Sequence, residues 1–286
     1  MPTKYIMTDY LEGKIINHMF KNIPYSVPPH VYLALYNCIL TDEVPLMRYT
    51  EVPEVDTNGN DTGYSSIQCP EFTIVNGVAT SSLPIEFEVA KKNWGNILSI
   101  ALLDTQHNIL FYGVPTTPIT ILEGDRLMFS GSSVSIGLEG NTNGGWGNEI
   151  ASTILNFILN NDSFPTPGNS IYLALGRSVV TSLSNNLTSW LEISGPDYSR
   201  KNIPSTAWTL PDNGYIENID EIIFTENALT NWGSVANSVL FNSSSGRDPL
   251  LWGVLASSKN VLMGDGFKFK SGNIAATIDF QPPTPD

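Results

Sequence analysis

The apolar positions of this chain fall into two helical stretches and many short extended ones. In the first helical stretch Leu11, Ile15, Ile16, Met19 and Phe20 recur at three- and four-residue spacing, which is one face of an amphipathic helix. Asp9 is placed to cap its start, with Glu12 at the third helical position, and Asn22 and Pro24 to end it. In the second, Ile150, Ile154, Leu155 and Ile158 make the face, Asn148 is the expected cap, and Asn160, Asn161 and Pro165 close it. Both helices are too short to persist in water unless they pack on a sheet.

The remaining apolar runs predict strands at Val31–Tyr36, Phe72–Val75, Val78–Ser81, Ile97–Leu103, Ile109–Tyr112, Arg126–Phe129 and Val134–Leu138, and again at Ile171–Leu175 and Val235–Phe241. Asn76-Gly77 between two such runs is a strong hairpin signal, because both residues tolerate positive φ. No helix-length crossover separates the strands, so the sheets are expected to be antiparallel. Short strands at regular spacing with turn residues between them predict a mainly β fold, a sandwich of jelly-roll or Ig-like type.

The pattern occurs twice. Val31-Tyr32-Leu33-Ala34-Leu35 returns 140 residues on as Ile171-Tyr172-Leu173-Ala174-Leu175, and Asn93-Trp94-Gly95 returns 138 on as Asn231-Trp232-Gly233. Leu110-Phe111-Tyr112-Gly113 and Leu250-Leu251-Trp252-Gly253 match, as do Gly124-Asp125 and Gly264-Asp265, and Tyr64-Ser65 and Tyr198-Ser199. Five landmarks in one order mark a tandem duplication. The first domain is expected over 1–140, a polar, glycine-rich linker over 141–147, and the second domain over 148–286 with a Pro-rich tail.

Composition narrows what such a protein does. Apolar residues make up 41 % of the 286 positions and charged residues only 15 %, with turn formers taking up the difference. The net charge is −14, from 14 basic against 28 acidic side chains. Such a chain repels a phosphate backbone, so nucleic acid is not an expected partner. No apolar run reaches the roughly 20 residues of a membrane span, and Met1–Asp9 does not read as a signal peptide. Cys38 and Cys69 have no counterparts in the second copy, which predicts free thiols in a chain made in a reducing cytosol.

Candidate chemistry is sparse, and no catalytic, cofactor-binding or metal-binding residue is assigned. Trp94 and Trp232 offer sugar-stacking platforms, or core indoles bonded to the backbone. Asp125 and Asp265 offer one carboxylate per copy, too few for calcium, and read as turn residues. His18, His30 and His107 lack metal-ligand spacing and second-copy counterparts. Ser243-Ser244-Ser245-Gly246-Arg247-Asp248 reads as a hairpin tip rather than a phosphate loop, since no helix follows. Glu86 and Glu88 share a strand face, the weak basis for a glycoside-hydrolase reading. No recurrent polar cluster stands out.

Taken together, the landmarks resemble a family of tailed-bacteriophage virion proteins, often labelled tail fibre proteins, with relatives that serve as capsid decoration or cement proteins. In the first copy the resemblance rests on Tyr32-Leu33-Ala34-Leu35, Gly63-Tyr64-Ser65, Asn93-Trp94-Gly95, Ala101-Leu102-Leu103-Asp104, Leu110-Phe111-Tyr112-Gly113 and Gly124-Asp125. The second repeats it, with Asn242 where the family pattern has Asp. The family usually carries one copy, so the tandem is a departure. The resemblance implies a non-enzymatic structural protein of the virion, made in the host cytoplasm. Its expected partners are the major capsid protein or other virion proteins, with homo-oligomeric contacts in the particle. The short chain lacks coiled-coil, β-helix and collagen-like tracts, which favours capsid decoration. The alternative is a tail fibre, baseplate or receptor-binding component, for which a glycan receptor is possible and loops Leu40–Thr62 and Gly176–Pro196 are the natural contact points.

Overall fold

The computed structural model describes residues 3–41, 50–138, 144–164, 170–177, 190–246 and 249–278. Pro165, Arg247, Asp248, the Pro-rich tail and parts of both long loops lie outside the described residues. The fold is mainly β, in two tandem repeats with a helix near the start of each: α1 (Asp9–Phe20) and α2 (Asn148–Asn160).

Each helix follows a strand that the sequence pattern does not announce. Thr3–Met7 precedes α1, and its Tyr5–Met7 half pairs antiparallel with Phe111–Gly113. Gly144–Trp146 precedes α2 and pairs antiparallel with Leu251–Gly253. The expected flexible linker is therefore partly sheet, since Gly144–Trp146 sit in the ladder of the second repeat. Gly144 is needed there because a Cβ would lie 2.7 Å from the Trp252 carbonyl oxygen.

The caps also differ from expectation. Thr8, not Asp9, is the N-cap of α1, and its hydroxyl oxygen accepts from the Leu11 amide while donating to the Ile109 carbonyl at 2.7 Å. Gly147, not Asn148, is the N-cap of α2 and gives no side-chain bond. Its backbone runs so close to Pro249 that a Cβ would meet the carbonyl oxygen at 2.5 Å, so packing overrides capping chemistry.

In the first repeat the sheet order is Ile67–Gln68, Tyr32–Tyr36, Ser99–Leu103, Ile109–Gly113, Thr3–Met7, Val134–Gly137, Val78–Ser81 and Phe72–Val75. Neighbours run antiparallel except Thr3–Lys4 with Val134–Ser135, a short parallel join by which the first strand ties the two antiparallel groups into one sheet. In the second repeat Gly144–Trp146, Pro249–Val261, Gly233–Phe241, Ser170–Gly176 and Lys201–Pro204 form the equivalent sheet. The hairpin turns match as well: Asn76 and Gly77 have φ of 52° and 78°, Asn213 and Gly214 of 44° and 67°.

The two repeats share one continuous core. Each helix packs on the hairpin region of the other repeat. Asn160 at the end of α2 bonds Phe72 twice: its Oδ1 accepts from the Phe72 amide and its Nδ2 donates to the Phe72 carbonyl, both at 2.9 Å. That amide imitates a neighbouring strand and closes a sheet edge. The Ser152 hydroxyl accepts from the Gly77 amide at 2.9 Å. On the other side Lys21, just after α1, donates to the Trp208 carbonyl at 2.7 Å, and Phe20 meets the Trp208 ring edge-on at 4.9 Å. The exchange is reciprocal, so it closes as a two-fold contact does.

Candidate functional site: the loop-covered sheet faces

Strand alternation sends Leu33, Leu35, Ile100 and Leu102 to the shared core, and Ala34, Tyr36, Ala101, Leu103 and Tyr112 to the opposite face of the sheet. That outer face is also buried, because Leu40 from the long loop packs on it. The second repeat does the same with Ala174, Val239, Phe241 and Trp252 beneath Trp190. Burial on both faces explains why these strands read as unbroken apolar runs.

A buried polar residue in the sheet holds each loop down. In the first repeat the Ser99 hydroxyl accepts from the Leu40 amide at 2.9 Å. In the second, at the equivalent place, Asn237 Oδ1 accepts from the Trp190 indole at 2.9 Å. Gly176 lets the indole in, since a Cβ there would lie 2.2 Å from the indole nitrogen. The loops expected as free contact points are thus anchored to the sheet at their described ends.

A second fastening recurs in both copies and went unread in the sequence. The Tyr64 hydroxyl accepts from the Leu35 amide at 2.9 Å and donates to Glu51 Oε1 at 2.6 Å. The Tyr198 hydroxyl accepts from the Leu175 amide at 2.9 Å and donates to Glu192 Oε1 at 3.0 Å. Burial raises both phenol pKa values, so these hydroxyls stay neutral donors. Burial also raises the Glu51 carboxyl above its usual range. Glu192 instead meets Arg200, which grips it through two nitrogens at 2.9 and 2.8 Å. Arg200 also donates to the Ser243 and Gly246 carbonyls and lies 3.8 Å from the centre of the Phe241 ring. Glu51 and Glu192 were legible only as a pair of acids 141 apart inside loops that otherwise do not align.

The tyrosines join a recurrent aromatic nucleus. Tyr64 stacks on Phe87 at 6.0 Å and meets Trp94 edge-on at 5.4 Å, while Tyr198 stacks on Phe224 at 6.0 Å and meets Trp232 at 5.6 Å. Trp94 and Trp232 are 4 % and 1 % exposed, which leaves no face for a sugar ring. The Trp94 indole donates to the Thr62 carbonyl, and the Trp232 indole to Asp197. Asp125 and Asp265 each accept from a backbone amide three residues back, Leu122 and Leu262.

The remaining candidates stay apart. His18 lies in α1, its Nδ1 accepting from the Tyr25 amide and its ring against Phe157 and Phe164 of the second repeat. Desolvation lowers its pKa. His30 is exposed beside Gln68, and His107 sits at a hairpin tip with φ of 62°. Glu86 pairs with Arg126 at a half-exposed site, and Glu88 is exposed. Ser243 accepts from the Gly246 amide, closing its own turn. Cys38 and Cys69 are unbonded to each other, and burial pushes the Cys69 thiol up to about 12. Among the described residues no three metal-binding side chains converge, and no helix is long and apolar enough to cross a membrane.

The arrangement therefore holds loops on sheets. No curated protein matches the chain. A family model described as podophage GP4 fiber I protein gp80 matches it twice, over residues 6–137 and 145–277, which are the two structural repeats. The chain belongs to this family of podophage fibre proteins, whose unit it carries in two tandem copies.

Proposed function

We propose that the chain is a non-enzymatic building block of the virion that works by binding, and that its place is the tail fibre apparatus. The carrying observation is that both repeats match a family named for a fibre protein. The anchored loops support binding over catalysis: their ends are fixed to a rigid sheet, while their sequences differ between the copies. Other virion proteins, copies of this chain among them, are the partners of such a block, and a surface glycan is the ligand if its loops face the host.

Capsid decoration is the second reading. It is favoured by the fused, shared core and by the lack of any shaft-forming repeat among the described residues. Cryo-electron microscopy of purified particles carrying a tagged copy separates the two. Density at the tail is the expected result. Density confined to the capsid shell would overturn the fibre reading and establish decoration.

A further inference from the structure

Duplicated domains on a linker often move as independent heads, and the exchanged helices argue against that here. Each hairpin surface is shaped for the helix of the other repeat. Gly77 lies against Ala151 of α2, where a Cβ would approach to 3.0 Å. Gly214 lies against Glu12 of α1 in the same way. These contacts come with the Asn160–Phe72, Ser152–Gly77, Lys21–Trp208 and Phe20–Trp208 pairs, which fix register on both sides.

The two sides are not interchangeable. The helix position equivalent to Ser152 is Gly13 in α1, and that of Asn160 is Lys21. Two first repeats docked together would leave the Gly77 amide without its hydroxyl. They would also set Lys21, a donor only, against the Phe72 amide, itself a donor. Two second repeats would set Leu159 in place of Phe20 against the fully buried Trp208, leaving a void.

We infer that the hairpin of each repeat is a docking site selective for the helix of the other, so that the repeats stay paired without their connecting segment and pair heterotypically. The chain is then one rigid two-faced body, and its two loop-covered faces meet partners in a fixed mutual orientation.

The test uses the full chain with a protease recognition sequence inserted between Gly140 and Asn141 and a different tag at each end. After cutting, the halves are expected to co-elute at the size of the intact chain, and capture through one tag to retrieve the other half. Two half-sized species would overturn the proposal. So would a first repeat captured by a differently tagged first repeat when two cut preparations are mixed. Asn160→Asp removes the amide donor to the Phe72 carbonyl, and with it a bond to Asn156 Oδ1 inside α2 that does not cross between the repeats. It is expected to raise the dissociation constant of the cut halves about tenfold, the loss of roughly one hydrogen bond. An unchanged constant would overturn the assigned contact.

Discussion

Glu51 and Glu192 occupy equivalent places, each bridged to the strand that carries the Tyr-Leu-Ala-Leu motif, yet among the described residues only Glu192 has a cation paired with it. In both repeats the glutamate oxygen accepts a hydrogen bond from the tyrosine hydroxyl, which leaves the phenol oxygen's lone pair to the strand amide. Duplication has kept that geometry. What differs is how the charge is met. Arg200 is 7 % exposed and Glu192 27 %, so theirs is a largely desolvated pair, held further by two carbonyls and a ring. Ser66 stands where Arg200 does, and the described partner of the Glu51 carboxyl is its tyrosine. A fold position can therefore be fixed while its electrostatics diverge.

The largest effect should come from breaking the better-compensated side. Arg200→Met leaves a partly buried carboxylate and two carbonyls without their donor, and is expected to cost about 3 kcal/mol. Ser66→Met, its counterpart, should stay within about 0.5 kcal/mol. Urea unfolding of both variants checks this. A loss below about 1 kcal/mol for Arg200→Met would remove the distinction between the repeats.

The hairpin turns sharpen the comparison next. Gly77→Ala and Gly214→Ala both force a Cβ onto a positive-φ residue, at about 1 kcal/mol. At Gly77 the new methyl also meets Ala151 Cβ at 3.0 Å and the Leu138 carbonyl oxygen at 3.3 Å, neither of which can swing aside. At Gly214 the new methyl meets Glu12 along its length, from Oε2 at 2.2 Å to Cβ at 3.1 Å, and Glu12 is buried on α1 with no solvent to turn into. Gly77→Ala and Gly214→Ala are thus both expected to cost about 2 kcal/mol, read from paired denaturation curves, and a clearly smaller loss at either would show that its helix contact yields.

Most of this architecture was legible from spacing. The repeat, both helices, the Asn76-Gly77 turn and the aromatic landmarks follow from local pattern, because apolar periodicity and turn chemistry act over a few residues. Three things were not. The strands before the helices are short or glycine-rich, and only long-range pairing with Phe111–Gly113 and Leu251–Gly253 makes them sheet. The caps moved to Thr8 and Gly147, because Thr8 also reaches the Ile109 carbonyl and Pro249 leaves no room for a side chain at 147. The Tyr–Glu fastening joins residues 13 apart in one repeat and 6 in the other, across loops whose lengths differ, so no fixed spacing exposes it.

Burial shifts the titration of Glu51, so acidity probes it. Its folded pKa lies above the usual 4.5, so the native state binds that proton more readily than the unfolded chain does. Its contribution is fully present below about 4.5 and is lost as pH rises through the folded value. Glu51→Gln keeps an acceptor for Tyr64 and removes the titration. The variant is expected to melt higher than the natural chain at pH 7, with the gap closed by pH 4. His18 slopes the other way, its lowered pKa costing stability as pH falls below about 6.5. The difference between variant and natural chain cancels that background, so a gap independent of pH would show that Glu51 carries no buried charge.

The smallest expected effect concerns the two prolines that interrupt the first repeat's longest hairpin. Pro115 and Pro118 correspond to Leu255 and Ser258, and the second repeat runs as one strand from Pro249 to Val261. The difference looks larger than it is. In the first repeat Gly113 pairs with Ile100 and Ile119 with Ile97, so the residues between them pair with nothing on that strand. In the second, Val254 pairs with Asn237 and Lys259 with Val235, which leaves 255–258 bulged in the same way. A proline is harmful in a ladder because it withholds an amide and tolerable at a bulge because none is required. Ser258→Pro is therefore expected to change stability by less than about 0.5 kcal/mol. A loss above about 2 kcal/mol would mean that the bulge of the second repeat is bonded through its backbone and that the two hairpins differ in kind.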